Sequence, residues 1–254
     1  MKRVYKITVW VVAIVVLLIA GVIAAFLLKD FFNPDFEETK IYPDESLIAP
    51  ADTTINVNGI AVRMVGVRGG KIDCRGLKES IELKNYYISE TEVTQELWTA
   101  IMGNNPSVHQ GDSLPVENVD LIDCLEFVNR LDSVSGYSFC IPSEPQWLYV
   151  AYFGKQLPSD SNRLDGYAWL KGNADNVTHN VKQKSPNSLG VYDMLGNVAE
   201  WTISGSDPLF IVAGGSYETE KDNCNDAHRE FDHANVKAGN LGFRLVCYPD
   251  SPKK

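Results

Sequence analysis

Basic residues are scarce in this sequence. Lys and Arg total 23 of 254 residues against 33 Asp and Glu, which gives a formal net charge of −10 at pH 7. No cluster of Lys and Arg occurs beyond the first few residues. Because proteins hold phosphate-rich surfaces through clustered positive charge, the composition argues against a nucleic-acid partner for the main part of the chain.

Cysteines are also few and odd in number, so at least one is unpaired unless it bridges two chains. They are widely spaced and lie in apolar stretches, which favours burial as small apolar side chains. Their spacing leaves any pairing open. The hydrophobic content of 44% is nevertheless typical of a folded core rather than of disorder. The five cysteines are Cys74, Cys124, Cys140, Cys224 and Cys247.

Near the N-terminus, Ile7–Leu28 contains no charged residue. A helix of this length spans roughly 33 Å, close to the ~30 Å hydrocarbon core of a bilayer. The apolar region of a cleaved signal peptide is shorter, about 7–15 residues, and no clear small-residue cleavage site follows. The stretch therefore predicts a single transmembrane helix anchored in the lipid bilayer, with a cleaved signal peptide as the alternative.

The charges that flank this stretch predict its orientation. Lys2, Arg3 and Lys6 precede it, whereas acidic residues dominate after Asp30. Positive flanks stay on the cytoplasmic side of a membrane. We therefore expect the N-terminus in the cytoplasm and the C-terminal bulk outside it, in the periplasm or at the cell surface.

Composition divides the chain into four predicted parts. A Pro-containing acidic stretch separates the apolar segment from the remainder and reads as a tether, because it has little apolar periodicity. A short polar tail ends the chain. The predicted parts are a cytoplasmic stub and anchor at 1–29, the tether at 30–54, a globular domain at 55–248 and the tail at 249–254.

Local patterns in the globular part predict strands first and helices afterwards. Residues 55–67 and 81–93 are rich in β-branched residues with rough alternation, which favours strands. Three short helices are expected, with caps at Thr94, Asp120 and Ser143. Ser143 and Gln146 have the spacing of a capping box. Beyond residue 154 the sequence predicts mostly loop.

Six ordered segments carry a family resemblance. They read YYISETEVTQELWTAIMGNNPS (86–107), LPVENVDLIDCLEFVNRL (114–131), IPSEPQWLYVAYFG (141–154), NSLGVYDMLGNVAEW (187–201), GGSY (214–217) and NLGFRLV (240–246). In this order the segments resemble the formylglycine-generating enzyme, or sulfatase-modifying factor, family. The resemblance implies an α+β fold of the loop-rich, C-type-lectin-like kind, here preceded by the predicted transmembrane helix.

The catalytic position of that family is altered in this chain. The resemblance implies that oxidase members have two cysteines after GGSY, five positions apart, which bind copper and convert a substrate cysteine to formylglycine. Here those positions hold Thr219 and Cys224. Thiolates are the ligands that Cu(I) prefers, and a neutral hydroxyl does not replace one. Ala199 also stands where the family enzymes have a Trp. Copper binding is therefore not expected.

A calcium site is the second expectation from the resemblance. By position, Asp193 and Glu200 would supply carboxylate oxygens, and Gly196 and Val198 would supply main-chain carbonyls. Calcium takes about 6–8 oxygen ligands in flexible geometry, so the donor types suit a structural ion. The alternative is that Asp193 and Glu200 cap turns and accept hydrogen bonds from nearby amides.

The GGSY segment is the expected ligand-binding region. The resemblance places Ser216 and Tyr217 on the active-site side, so with Thr219 and Cys224 they are the candidate ligand-binding residues. Alternatively, Ser216 and Tyr217 complete a turn in the core. In the last segment we expect Arg244 to pair with a buried acceptor and close the fold.

Three functions follow as hypotheses. The favoured one is a non-catalytic binding or assembly module, with an envelope protein, peptide or glycan as partner. The second is a copper-dependent oxidase that matures sulfatases. The third is the variable ligand-binding protein of a diversity-generating retroelement, because Tyr217 to Gly239 is rich in residues that adenine-directed mutagenesis produces.

Overall fold

The described residues form three sheets and three helices. The computed structural model describes residues 39–74, 79–153, 161–206, 208–224 and 229–252. The helices are α1 (Gln95–Met102), α2 (Leu121–Ser135) and α3 (Glu144–Tyr152), with a 3-10 helix at Ser161–Gly166. The strands are β1 (Lys40–Pro43), β2 (Thr53–Val57), β3 (Ile60–Val67), β4 (Gly70–Asp73), β5 (Ile81–Leu83), β6 (Tyr86–Ser89), β7 (Tyr137–Cys140), β8 (Ala199–Ser206), β9 (Leu209–Ala213), β10 (Arg229–His233), β11 (Leu241–Gly242) and β12 (Val246–Pro252).

The three helix starts predicted from capping residues are confirmed. Thr94 Oγ1 accepts from the amide of Leu97 at the start of α1, and α2 begins after a capping box built on Asp120. The predicted box of Ser143 and Gln146 precedes α3. Each cap satisfies amide donors that have no partner within the first helical turn.

Both stretches predicted as strands are strands, but each is interrupted. In the first, Asn58 and Gly59 adopt positive φ angles of 53° and 91°. These angles suit the two-residue turn that joins β2 to β3. The second stretch divides into β5 and β6, which belong to different sheets. In the sequence, the Asn58-Gly59 pair is the signal that indicates the turn between β2 and β3.

Strand order connects distant parts of the chain. The largest sheet has the order β2-β3-β6-β12-β7, with antiparallel neighbours. Strand β12, the last strand of the described residues, therefore lies between β6 and β7. A second sheet has the order β10-β9-β8-β11, and a third has the order β1-β4-β5.

Strand β1 lies within the segment that the sequence assigned to the tether. Lys40 to Pro43 pair with Asp73 to Gly70 of β4. Further along, the amide of Gly66 donates to Asp52 Oδ1 over 3.0 Å. Part of the predicted tether thus packs on the globular part, which the Pro-rich composition did not indicate.

The prediction that the chain beyond residue 154 is mostly loop agrees with the structure, but it missed the paired strands that follow residue 198. Residues 167–198 do consist of turns and bends, with one isolated bridge between Trp169 and Gly196. After them, strands β8 and β9 form an antiparallel pair, and β10 extends it. Glycines and hydroxyl residues weaken the local strand signal here, so tertiary pairing decides the structure.

Two apolar clusters form the core. In the first, Trp98 stacks on Phe127 with ring centroids 5.2 Å apart, and Phe243 meets both rings edge-on. The second surrounds α3, in which the predicted core residues Trp147, Leu148 and Ala151 are buried. The large sheet separates these clusters because its two faces carry alternate side chains.

The predicted transmembrane segment, Ile7–Leu28, lies outside the described residues. Among the residues that the structure describes, no helix combines the length and the apolar character needed to cross a bilayer. The α+β class is confirmed for this part of the chain, and membrane anchoring stays a prediction.

Two glycines with similar backbone angles allow a test of close packing. Gly196 (φ 73°) has no room for a Cβ, which would lie 2.2 Å from the carbonyl oxygen of Trp169, whereas a Cβ on Gly103 (φ 78°) meets nothing within 4 Å. We expect Gly103→Ala to lose about 1–2 kcal/mol of unfolding free energy from the left-handed backbone. Gly196→Ala should lose about 2–5 kcal/mol, because overpacking adds to that strain. Urea unfolding measures both, and equal losses would contradict this packing.

Candidate functional site

The GGSY segment makes a tight turn after β9. Gly214 and Gly215 have φ angles of 93° and 68°, and a Cβ on Gly214 would lie 3.0 Å from the carbonyl oxygen of Met194. The turn continues with Ser216, whose amide donates to Thr219 Oγ1 over 2.9 Å. Glycine is therefore required in this turn, and Ser216 and Tyr217, which follow it, are also buried.

A pocket of about 340 Å³ opens beside this turn. Its walls come from β8, β9, β10, the GGSY turn and the segment before β11. None of the described residues that line it is Lys, Arg or His, whereas four are acidic. The lining residues are Ala199, Val212, Gly215, Ser216, Glu218, Thr219, Glu220, Asn223, Glu230, Asp232, Ala238, Asn240 and Leu241. We call this cavity the acidic pocket.

Polar contacts hold the acidic side chains of the pocket, including Asp232, whose Oδ1 accepts from the amide of His233 over 2.9 Å. Glu218 Oε2 accepts from Asn240 Nδ2 over 2.7 Å. Glu220 is paired with Lys171, and both side chains are more than half exposed. Glu230 and Asp232 alternate along β10, so they face the same side of the strand. Lys171 pairs with one of the four carboxylates, so the pocket keeps an excess of negative charge.

The pKa of the buried Tyr217 side chain is affected by this negative charge. Tyr217 is buried, it packs edge-on against His109 with centroids 5.6 Å apart, and it does not line the cavity. Burial raises the pKa of Tyr217, and the charges of Glu218 and Glu117 raise it further. Of the two predicted alternatives, Tyr217 therefore corresponds to the core-turn role.

The other predicted ligand-binding residues separate into two groups. Ser216 and Thr219 line the acidic pocket. Cys224 does not, because it is buried in the second core cluster and its Sγ lies 3.6 Å from the carbonyl oxygen of Gly214 as a donor. Burial raises the pKa of the Cys224 thiol to about 12.

Thr219 and Cys224 are also the two residues that would have to bind copper in an oxidase. A Cu(I) centre of this kind requires two accessible thiolates. Here the first position is the hydroxyl of Thr219, which already accepts a hydrogen bond, and the second is a thiol whose pKa opposes ionisation. The residues present do not fit the ion.

The predicted calcium residues surround a buried ion pair. Glu200 Oε1 lies 2.6 Å from Arg244 Nη2, and Glu200 Oε2 accepts from Arg244 Nε and from Trp147 Nε1, each over 2.7 Å. The two charged side chains are 1% and 0% exposed. The expectation that Arg244 pairs with a buried acceptor is confirmed.

Arg244 also binds three main-chain carbonyls. Its Nη2 donates to the carbonyl oxygens of Tyr192 and Asp193 over 3.1 Å, and its Nη1 donates to that of Ser89 over 3.3 Å. The guanidinium thus joins β6, the 192–193 turn and β8. Such a fully bonded buried pair holds segments together because each charge would be costly to bury alone.

Asp193 itself faces a different environment. Its Oδ2 accepts from the amide of Lys182 over 2.7 Å, whereas its Oδ1 is buried with no hydrogen-bond partner. Burial raises the pKa of Asp193 to about 6. Neighbouring Glu92 is also buried, and its Oε2 likewise has no partner. Burial first, and then the charge of Asp193, raise the pKa of Glu92 well above its usual value.

These contacts bear on the predicted calcium ligands. Both oxygens of Glu200 are bonded to Arg244 and Trp147, and the adjacent guanidinium opposes a second cation there. Within the described ranges, no three side chains of the His, Cys, Asp and Glu types form a group able to hold a metal. The donor set through Glu200 does not fit well, and calcium binding stays a prediction.

The acidic residues of the pocket were missed by sequence reasoning. Glu218 and Glu220 lie next to the motif position, but Glu230 and Asp232 follow it by more than ten residues. The available signal was their i, i+2 spacing in a short β-compatible run. That signal is weak, because ordinary exposed strands also alternate.

Comparison with known proteins settles the family. The sequence model of the sulfatase-modifying factor enzyme 1-like domain matches residues 51–248. The chain belongs to this family. A curated relative, "Chaperone protein LppX" of Paenibacillus barcinonensis, is 28% identical in a match that covers 48% of this chain and 63% of that protein. The chain thus spans less than two thirds of that relative's length.

Solved structures agree with this assignment to the sulfatase-modifying factor family. Treponema denticola variable protein 1 is 28% identical with a TM-score of 0.71, over 79% of this chain and 100% of that one. PvdO from Pseudomonas aeruginosa is 20% identical with a TM-score of 0.61, in a match that covers 84% of this chain and 95% of PvdO. CarF is 24% identical with a TM-score of 0.55, in a match that covers 80% of this chain and 100% of CarF. The latter two similarities establish the fold alone.

The buried ion pair predicts that replacing Arg244 lowers the free energy of unfolding much more than replacing the exposed Arg130 does. Arg244→Met leaves Glu200 buried without its cation and should cost about 3–5 kcal/mol of unfolding free energy. Arg130 pairs with Glu126 on the exposed surface of α2, so Arg130→Met should cost less than about 0.5 kcal/mol. Urea unfolding of both variants measures the difference. Similar losses would show that the buried pair does not stabilise the fold.

The burial of Cys224 predicts low reactivity. With a pKa of about 12, Cys224 should resist alkylation by iodoacetamide at pH 8 in the folded protein and react fully in urea. Peptide mapping by mass spectrometry follows the modification. Cys140 is half-buried and serves as the internal comparison. Rapid native alkylation of Cys224 would indicate an accessible thiol and reopen the oxidase hypothesis.

Proposed function

We propose that this protein is a non-catalytic binding module that recognises a positively charged partner segment through the acidic pocket. The observation that carries the proposal is the lining of that pocket, in which four carboxylates face a cavity with no basic residue among its described walls. The predicted anchor at residues 7–28 would hold the module in the bilayer, with the domain outside the cytoplasm.

The chemistry of the pocket favours an ammonium or guanidinium group. Carboxylates in a concave surface concentrate negative potential, which attracts cations and repels acidic ligands. A cavity of about 340 Å³ suits one or two side chains rather than a large ligand. A lysine- or arginine-containing segment of an envelope protein or peptide meets both requirements better than a neutral glycan does.

The nature of the partner draws support from a relative. The curated relative's name describes a chaperone protein. A chaperone acts on other proteins, so the name agrees with a protein segment as ligand. The copper-dependent oxidase receives no such support, because the thiol at its second position is buried away from the acidic pocket.

Binding of model peptides tests the proposal. A short unstructured Lys-rich peptide should bind the full-length protein, whereas the same peptide with Gln in place of Lys should not. The double variant Glu230→Gln/Asp232→Asn should weaken binding about tenfold, equivalent to ~1.4 kcal/mol. Binding should also weaken with added salt, because exposed charges are screened. Fluorescence anisotropy measures each affinity.

A charge-matched control separates the pocket from net charge. Glu79→Gln/Glu82→Gln removes two exposed carboxylates at β5, which do not line the acidic pocket. This variant should bind the peptide as the wild type does. Equal weakening by both double variants would contradict a pocket-based site, and binding of the Gln peptide would contradict the role of charge.

The variable ligand-binding protein of a diversity-generating retroelement is a second candidate. Its support is the similarity to a solved protein whose name describes it as variable. In addition, seven lining residues of the acidic pocket fall within Tyr217–Gly239, the stretch with the expected composition. A near-copy of this coding stretch beside a reverse-transcriptase gene would support the idea, and its absence would dismiss it.

A further inference from the structure

A second cavity, of about 210 Å³, is lined by the first half of β3, the turn after β6 and the start of α1. Residues 181 and 182 of the long loop complete its wall. It shares no lining residue with the acidic pocket, so it is a separate feature of the molecule. We call it the Glu92 cavity, after the buried carboxylate that lines it.

Glu92 has one bonded oxygen and one unsatisfied oxygen. The residue is 2% exposed, its Oε1 accepts from Asn197 Nδ2 over 3.1 Å, and its Oε2 has no hydrogen-bond partner. Asn197 is itself fixed, because its Oδ1 accepts from the amide of His179 and its Nδ2 also donates to the carbonyl oxygen of that residue. Burying a carboxylate oxygen without a donor costs free energy, so Oε2 requires a donor.

The cations around the cavity are engaged with other carboxylates. Lys182 Nζ donates to Glu90 Oε2 over 2.7 Å, and Arg63 Nε lies 3.4 Å from Glu90 Oε1. These two side chains are 43% and 54% exposed, so they stand at the mouth of the cavity rather than beside Glu92. Arg244 is committed to the buried ion pair described above. The charge of Glu92 is therefore left without a cation bonded to it.

Apolar side chains form the inner walls of the cavity. Val93, Leu97 and Leu245 line it and are buried. An apolar wall beside an unsatisfied carboxylate suits a ligand with one donor end and a hydrocarbon body, because the body covers apolar surface while the donor satisfies the oxygen. At about 30 Å³ for each water-sized group, the cavity holds about seven such groups, so the ligand must be small.

We propose that the Glu92 cavity binds a small primary ammonium compound, whose ammonium group donates to Glu92 Oε2 and whose alkyl stem of about four to six carbons packs against Val93 and Leu97. The ammonium group supplies the positive charge and the donors that the walls do not provide. Three carboxylates and two cations line the cavity, and this excess of negative charge disfavours an anionic ligand. The site goes beyond the proposed function, because it shares no residue with the acidic pocket.

Titration of the full-length protein with n-pentylammonium chloride tests the proposal. A Kd of about 1 mM is expected, because so few non-hydrogen atoms limit the affinity. At ten times that Kd, Tm should rise by about 3–6 °C for a domain of this size. The alcohol n-pentanol has the same stem without the charge and should bind at least about tenfold more weakly. An unchanged Tm, or equal responses to both compounds, would overturn the proposal.

Hydrogen–deuterium exchange on the same samples locates the ligand. Pentylammonium should protect residues 89–97 and 181–182. Because the acidic pocket also attracts cations, the measurement is repeated on Glu230→Gln/Asp232→Asn, in which the rise in Tm and the protection should both persist. Loss of the response in this double variant, or protection confined to the GGSY turn and β10, would assign the ligand to the acidic pocket and overturn the Glu92 cavity as its site.

Two variants test the two ends of the ligand. Glu92→Gln keeps the size of the side chain and should weaken pentylammonium binding at least about tenfold. Ala61 lines the cavity but is exposed, so Ala61→Leu should fill the space of the alkyl stem without disturbing the core and block binding. Glu117→Gln is the matched control, because Glu117 is buried with an unpartnered Oε2 and does not line the cavity. Wild-type affinity in the first two variants, or equal weakening in the control, would contradict the site.

A proton on Glu92 is the competing way to satisfy Oε2. In that case pentylammonium would leave both Tm and hydrogen–deuterium exchange of the wild-type protein unchanged, and this result overturns the proposal. If Glu92→Gln does not fold, Ala61→Leu and exchange on the wild-type protein still decide, because neither measurement removes the buried carboxylate.

Discussion

The buried pair of Glu200 and Arg244 is the interaction on which the arrangement of this domain depends. It joins a strand of the second sheet to the segment that leads into β12, and Trp147 of α3 completes it. Through the carbonyl oxygens of Ser89, Tyr192 and Asp193, the same guanidinium also holds β6 and the long loop. A loop region with little regular structure is thereby fixed by directed polar bonds.

This scaffold leaves the acidic pocket free to vary. The ion pair and the second core cluster are buried, whereas Glu218, Glu220 and Glu230 of the pocket are exposed. Glu230 and Asp232 on β10 contribute charge without supporting the core. Substitutions of the pocket's surface residues can therefore change which ligand is bound and leave the fold intact. This is expected when the function of a protein is carried by a site on a common fold.

The sequence predicted the parts of the fold that have local causes. Helix starts at Thr94, Asp120 and Ser143 follow from capping chemistry, and the motif order predicted the family. The β8–β9 pair and strand β1 were missed, because their stability comes from partners far along the chain. The acidic pocket was missed for the same reason, since its walls span residues 199–241 and meet only through sheet topology.

The position of β12 has a consequence for biosynthesis. The strand is formed by the last residues of the described chain, yet it pairs on both sides within the largest sheet. A nascent polypeptide emerging from the ribosome would lack this strand until residues 246–252 have been synthesised, and β6 and β7 would each present an unpaired edge. Arg244 also arrives late, two residues before β12. Premature termination would therefore yield products that cannot close the sheet and that are exposed to proteases and aggregation.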